Sequence, residues 1–251
     1  MKMRFLVVFF MVNIGLAFGQ NSTDAKGKKQ GAWSKTYPNS RILQYKGQFK
    51  DDKPVGTFTY YYLTNTIKAV IEHQENSNRS VAKMYHENGK PMSVGIYRNL
   101  KKDSLWFNYN EAGYLISAEN YLNDQLNGRR VSYYKSWNEQ TKSPRILSTE
   151  TYSKGLINGE FTEYYESGTI KEKGNYLLGK KIGIWERCYA SGKPFAKERF
   201  KNGLLHGWSF GFDESGKQIG KKYYNNGVYL EGKALEAKLT ALKLKGIDPN
   251  D

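Results

Sequence analysis

A pattern that recurs every 24 residues constrains this chain more than any other feature. Gly159 and Gly168, Gly183 and Gly192, and Gly207 and Gly216 form three pairs. The glycines of a pair stand nine residues apart, and each pair begins 24 residues after the last. A repeat of this length stacks small units in a row and does not wrap one globular core. Carried back along the chain, the pattern gives eight units. They start at Gly31, Gly56, Ser80, Ser104, Gly128, Gly159, Gly183 and Gly207, with one step of 25, one of 31 and the rest of 24.

Three columns hold this register. Two residues after each start stand Trp33, Phe58, Ala82, Trp106, Arg130, Phe161, Trp185 and Ser209. Five residues after stand Tyr61, Tyr85, Tyr109, Tyr133, Tyr164, Cys188 and Phe212, and the extra residue of the first unit places Tyr37 in this column. Before the next turn stand Phe49, His73, Tyr97, Tyr121, Tyr152, Tyr176, Phe200 and Tyr224. Each unit reads as a hairpin. In the sixth, residues 160–166 and 169–177 are strand-like, and Glu166-Ser167-Gly168 is the turn. Asn88-Gly89, Ser191-Gly192 and Ser215-Gly216 mark the same turn elsewhere, because glycine supplies the positive φ such turns demand. With 20 tyrosines and 25 glycines the composition suits short strands and tight turns. One hairpin is marginal in water. The expected fold is therefore all-β: an elongated, single twisted antiparallel sheet of about eight 24-residue hairpin repeats, with a C-terminal capping helix. The aromatic columns are read first as structural, since a buried aromatic ring removes about 150–250 Å² from water.

The ends depart from the repeat. Lys2 and Arg4 precede a mostly apolar stretch from Phe5 to Phe18, and Ala17-Phe18-Gly19 offers small residues for cleavage before Gln20. Residues 1–19 read as a signal peptide, too short for a spanning helix. Residues 20–30 are polar and read as a flexible linker, the repeat domain runs from 31 to 232, and residues 233–251 are a helical cap and tail. In that last segment Leu235, Leu239 and Leu242 fall on one helical face, and Gly246 and Pro249 stop the helix. The helix is expected to cover the last hairpin and its free edge.

Two breaks in the repeat are candidate sites of specificity. The second unit lacks its turn glycine and ends in a polar run from His73 to Arg79, which is expected to disturb the third column. The fifth unit carries seven extra residues between Lys135 and Arg145, and insertions in repeat arrays form loops and sometimes binding sites. Trp137, Lys142 and Arg145 are the expected partner-binding residues there. A long hairpin whose Trp137 packs back on the sheet is the alternative reading.

No catalytic, cofactor or metal constellation is expected. His73, His86 and His206 lie in different units without a ligand motif. Cys188, the one cysteine, reads as a buried structural residue. The chain carries +15, and +13 without residues 1–19, which suits an anionic partner, although lysines interleaved with acids, as in Lys171-Glu172-Lys173, also describe an ordinary solvated face.

The units resemble the MORN repeat in its variant bacterial form, most closely from Gly183 to Pro194 and from Gly159 to Lys180. That resemblance covers residues 31 to about 229. It implies membrane or lipid contact, protein assembly or substrate recognition, and no catalytic set. The leading expectation is an exported, non-enzymatic repeat protein that binds another protein or an anionic envelope component, with peripheral membrane contact as one form. It would be periplasmic, cell-surface or secreted, and export argues against nucleic acid. The alternatives are a polymer-binding enzyme with an aromatic groove and a structural spacer.

Overall fold

The computed structural model describes residues 20–138 and 143–250, with only the backbone of Trp137 and Asn138. Residues 1–19, read above as a signal peptide, lie outside the described residues. Nineteen strands form an elongated antiparallel sheet that is not closed into a barrel, followed by one helix. A short β1 (Ser22–Thr23) precedes the first unit, β2 (Lys29–Thr36) and β3 (Leu43–Lys50). The next three hairpins are β4 (Lys53–Tyr61) with β5 (Ile67–His73), β6 (Arg79–Tyr85) with β7 (Pro91–Arg98), and β8 (Lys101–Tyr109) with β9 (Leu115–Leu122). The fifth is longer, β10 (Gln125–Asn138) with β11 (Ser143–Ser153). Then come β12 (Leu156–Tyr164) with β13 (Ile170–Leu177), and β14 (Lys180–Cys188) with β15 (Pro194–Lys201). The array ends in β16 (Leu204–Leu205), β17 (Gly207–Phe212), β18 (Gln218–Asn225), β19 (Val228–Leu230) and α1 (Gly232–Leu244).

The register follows the sequence columns. Every unit start faces the third-column residue of its own hairpin, from Gly31 opposite Phe49 to Gly207 opposite Tyr224. Between units the pairing slips: β3–β4, β7–β8, β9–β10, β11–β12 and β13–β14 each carry a bulge. The start residue causes it. Gly56, Gly128, Gly159 and Gly183 have positive φ, and Ser104 adopts φ 59° without being glycine; a left-handed residue is what one form of bulge requires. Ser80 is not left-handed, and β5–β6 pairs with no slip. The start glycines thus re-aim each hairpin against the one before it.

A further column ties the units together. The side chain six residues after a start reaches the carbonyl oxygen five residues after the next start. Tyr37 Oη donates to Tyr61 O, Tyr62 to Tyr85, Tyr134 to Tyr164, Tyr165 to Cys188 and Tyr189 to Phe212, all at 2.7–2.9 Å. His86 Nε2 makes the equivalent contact to Tyr109 O at 3.0 Å. Tyr37 therefore belongs to this column and not to the one before. Thr36 takes the earlier place opposite Leu43, and the extra residue of the first unit lies in the turn closed by Tyr37 N and Ile42 O.

Three other expectations are corrected. Residues 20–30 are not a linker without structure: Ser22 and Thr23 pair with Gln30 and Lys29, and Asn21 Oδ1 accepts from Ser34 N, closing the first edge of the sheet. The polar run after His73 leaves its column undisturbed. His73 stays in register opposite Gly56, and residues 74–78 form the turn before β6. The helix stands where its leucine spacing placed it, with Leu235, Leu239 and Leu242 half-buried and none of its residues fully buried. Covering of the last hairpin falls to the tail behind it. Tyr223 Oη donates to Pro249 O at 2.8 Å, and Asn250 Oδ1 accepts from Trp208 N.

The core is a line along one face. Phe58, Ala82, Trp106 and Trp185 of the first column are 0–2% exposed. No helix among the described residues is long and apolar enough to cross a membrane.

Candidate functional site

The buried tryptophans show how the sequence builds this face. Wherever the first column holds tryptophan, a lysine stands four residues earlier: Lys29 before Trp33, Lys102 before Trp106, Lys181 before Trp185. Each ammonium lies over its indole, at 4.8, 4.5 and 3.7 Å from the ring centroid, a cation–π contact worth about 0.5–2 kcal/mol. Glycine of the preceding hairpin forms the floor. Gly95 lies under Trp106 and Gly174 under Trp185, as Gly47 does under Phe58. The indole N–H groups donate to Ile96 O and Asn175 O at 3.0 and 3.2 Å, so burial leaves no polar atom of these rings unpaired. Elsewhere the floor is not glycine and the column varies: Ile71 faces Ala82 and Glu119 faces Arg130, while Phe161 stands opposite Glu150.

One row beside this line crosses thirteen strands in register, and its chemistry changes along the array. It begins with Tyr45, Tyr60, Ala69 and Met84. It continues through Ser93, Asn108, Ser117, Ser132 and Ser148. It ends in Glu163, Glu172, Arg187 and Ala196. The first stretch borders a cleft of ≈ 260 Å³ lined by Tyr37, Tyr60, Tyr61, Ile71, Met84 and Met92, with Gln44 and Lys68 as its polar members.

The middle stretch leads into a charged cluster where the fourth, fifth and sixth units meet. Arg130 Nε donates to Glu119 Oε1 and Arg130 Nη1 to Glu150 Oε2, both at 3.2 Å. Glu119 also accepts from Tyr121, Ser117 and Asn108, and Glu150 from Tyr152 and Ser148. Ser93 Oγ extends the chain by donating to Asn108 Oδ1. Burial pushes the Glu119 carboxyl up, but its bonds from Tyr121 and Ser117 and the charge of Arg130 outweigh this and hold it below the ordinary range. Tyr121 is pushed up to about 12, by burial and then by its bond to Glu119. Burial pulls the Arg130 guanidinium down, and the charge of Glu150 more than restores it. Glu119 and Arg130 stay ionised at neutral pH, and the neutral Tyr121 phenol remains a fixed donor to Glu119. Asn110 occupies the phenol-donor position of the fourth unit and instead caps its own turn by accepting from Tyr114 N.

The fifth-unit insertion lengthens β10 and β11 into the longest hairpin described, with Trp137 opposite Pro144. The Trp137 side chain and all of Lys142 lie outside the described residues. Arg145 is placed, and its Nη1 donates to Glu166 O at 2.8 Å, which braces the long hairpin against the turn of the sixth unit. The structure thus does not bring Arg145 into the Glu119–Arg130–Glu150 cluster. Arg130 itself appeared in the sequence only as an irregular member of the first column. The signal that could have found the cluster is the charge complementarity of Glu119, Arg130 and Glu150 at facing positions of three successive strands. Cys188 is buried; burial and then the neighbouring Glu186 push its thiol up, the setting of an inert structural cysteine. Among the described residues no group of three His, Cys, Asp or Glu is placed to hold a metal ion.

No curated protein matches the chain. A solved structure, a mutant of S. aureus TarM in complex with Fondaparinux, alpha-GlcNAc-glycerol and UDP, is 11% identical over 51% of this chain and 19% of that one. Its TM-score of 0.23 carries no argument about fold or ligand. Residues 81–99 and 157–177 match the MORN repeat variant, so the third and sixth units, spanning β6–β7 and β12–β13, are those in which this chain is recognisably similar to that repeat family.

Proposed function

We propose that the chain is an exported, non-enzymatic binding protein that holds another protein or an anionic envelope component against the aromatic face of its sheet. The observation that carries this reading is the division of labour along one registered row. An apolar cleft in the first three units is followed by a central polar stretch whose charged groups are already saturated. A cleft with tyrosine and methionine walls suits an apolar anchor. Glu119 and Glu150 accept bonds from five neighbours besides Arg130, so they suit recognition better than proton transfer, which requires a base free to take a proton. The long β10–β11 hairpin stands beside that centre, and Trp137, Lys142 and Arg145 are proposed as its contact residues.

The polymer-binding enzyme keeps one observation in its favour, because two carboxylates do converge on the central units. It predicts turnover of a polymer that disappears in Glu119→Gln or Glu150→Gln. The binding reading predicts association without turnover. Protein lacking residues 1–19 would be incubated with envelope proteins, cell-wall material and anionic vesicles, alongside a variant in which residues 137–144 are cut back to a short turn. Retained binding by the shortened variant would remove the hairpin from the proposal, and no association with any of the three would remove the binding role. N-terminal sequencing after expression in an exporting host should begin at Gln20; an intact Met1 would overturn export.

A further inference from the structure

The two long edges of the sheet differ in chemistry. The hairpin tips mix charges, with Glu87, Glu111, Glu166 and Glu214 beside Lys90, Lys193 and Lys217. The turns between later units carry leucine and lysine, and no acid occurs in 153–156, 177–180 or 201–204. In those three successive turns Leu156, Leu177, Leu178 and Leu204 are 50, 51, 63 and 50% exposed. Such side chains form a line on one edge, separated from the aromatic face and its cleft.

We infer that this edge docks an acidic amphipathic helix of a partner protein. Consecutive turns are two strands apart, which is about 9.5 Å. Seven residues of a helix rise about 10.5 Å, so a helix with an apolar residue at every seventh position presents one to each turn in succession. Lys154 and Lys180 beside the leucines, in turns that hold no acid, select acidic residues on its flanks.

The test uses the chain from Gln20 onward and a synthetic helical peptide with leucine at every seventh position flanked by glutamate. A second peptide has lysine in place of glutamate. Fluorescence anisotropy should show binding of the acidic peptide, weakened at least tenfold by Leu178→Ser with Leu204→Ser and weakened by salt, with no binding of the basic peptide. Both leucines are exposed, so an unchanged thermal melt is expected and shows that folding is intact. Equal affinity of the double variant overturns the inference, as does equal binding of the basic peptide. Pelleting with anionic vesicles that depends on Leu178 and Leu204, without peptide binding, assigns the edge to a lipid surface and overturns it too. Cutting residues 137–144 back to a short turn should leave peptide binding unchanged, which keeps this result separate from that for the aromatic face.

Discussion

Gly174 lies flat beneath the indole of Trp185: a Cβ placed on it would stand 2.3 Å from Trp185 Cδ2. The contact joins two successive units, and Gly95 with Trp106 repeats it three units earlier. Gly174→Ala must therefore displace a buried ring, at a cost of about 1–3 kcal/mol. Gly220→Ala is the control, because nothing lies within 4 Å of its Cβ position. Urea melts of the two variants should separate by at least that margin, and equal midpoints would show that the floor is not constraining.

Tyr165→Phe removes one inter-unit bond, Oη to Cys188 O at 2.8 Å, and changes little else. A net loss of about 1 kcal/mol is expected. It should show in hydrogen exchange as faster opening between the sixth and seventh units, with the first three unchanged. Uniformly faster exchange would mean that the array opens only as a whole.

Glu119 makes the sheet acid-sensitive at its centre. Its carboxyl is held below the ordinary range, so its contribution is present above the unfolded value near 4.3 and lost as pH falls through the lower folded value. Glu119→Gln should lower the melting temperature at pH 7 and flatten its fall between about pH 4.5 and 3. Arg130→Ala leaves two half-buried carboxylates without their cation, and about 2–3 kcal/mol of destabilisation is expected once partial solvent access is discounted. Parallel melting curves for Glu119→Gln and the unaltered chain across that pH range would contradict the assignment.

His73 acts in the opposite chemical sense at a milder pH. It fills a column held elsewhere by Phe or Tyr and lies edge-on to Phe58, with ring centroids 5.3 Å apart. Nδ1 pairs with Ser80 Oγ at 2.8 Å, and Nε2 is buried without a partner. Burial pulls its pKa down, so the unfolded chain takes the proton first and stability falls as pH drops below about 6.5. His73→Phe should remove that decline and stabilise the protein most near pH 5. A pH-independent change would show that the imidazole does not titrate against burial.

What could be read from the sequence was whatever glycine and aromatic spacing encodes. Eight starts, their third-column partners and the helix all follow from residue types at fixed intervals. The phenol column stayed hidden because Tyr37, Tyr62, Tyr134, Tyr165 and Tyr189 adjoin another tyrosine-rich column, and only bond direction separates them. Lys29, Lys102 and Lys181 looked like ordinary surface charge until their position over indole was visible. Arg130 looked like noise in an aromatic column because a long-range pair has no local signature. The region 20–30 was missed for a similar reason, since Asn21 and Ser22 act on strand β2 through pairing that no periodicity announces.

The joint between the fourth and fifth units has a mechanical consequence. Elsewhere the hydroxyl and imidazole contacts that link units survive changes of salt, whereas at this joint Asn110 supplies no such tie and Glu119 with Arg130 takes over. A stack of repeats unfolds as a sum of unit and interface energies, so weakening one interface divides the cooperative length. In strong salt, or in acid below the ordinary carboxylate range, the array should behave as two blocks of four units that melt separately. The charge cluster is therefore the point at which ionic conditions set how much of the molecule moves as one body.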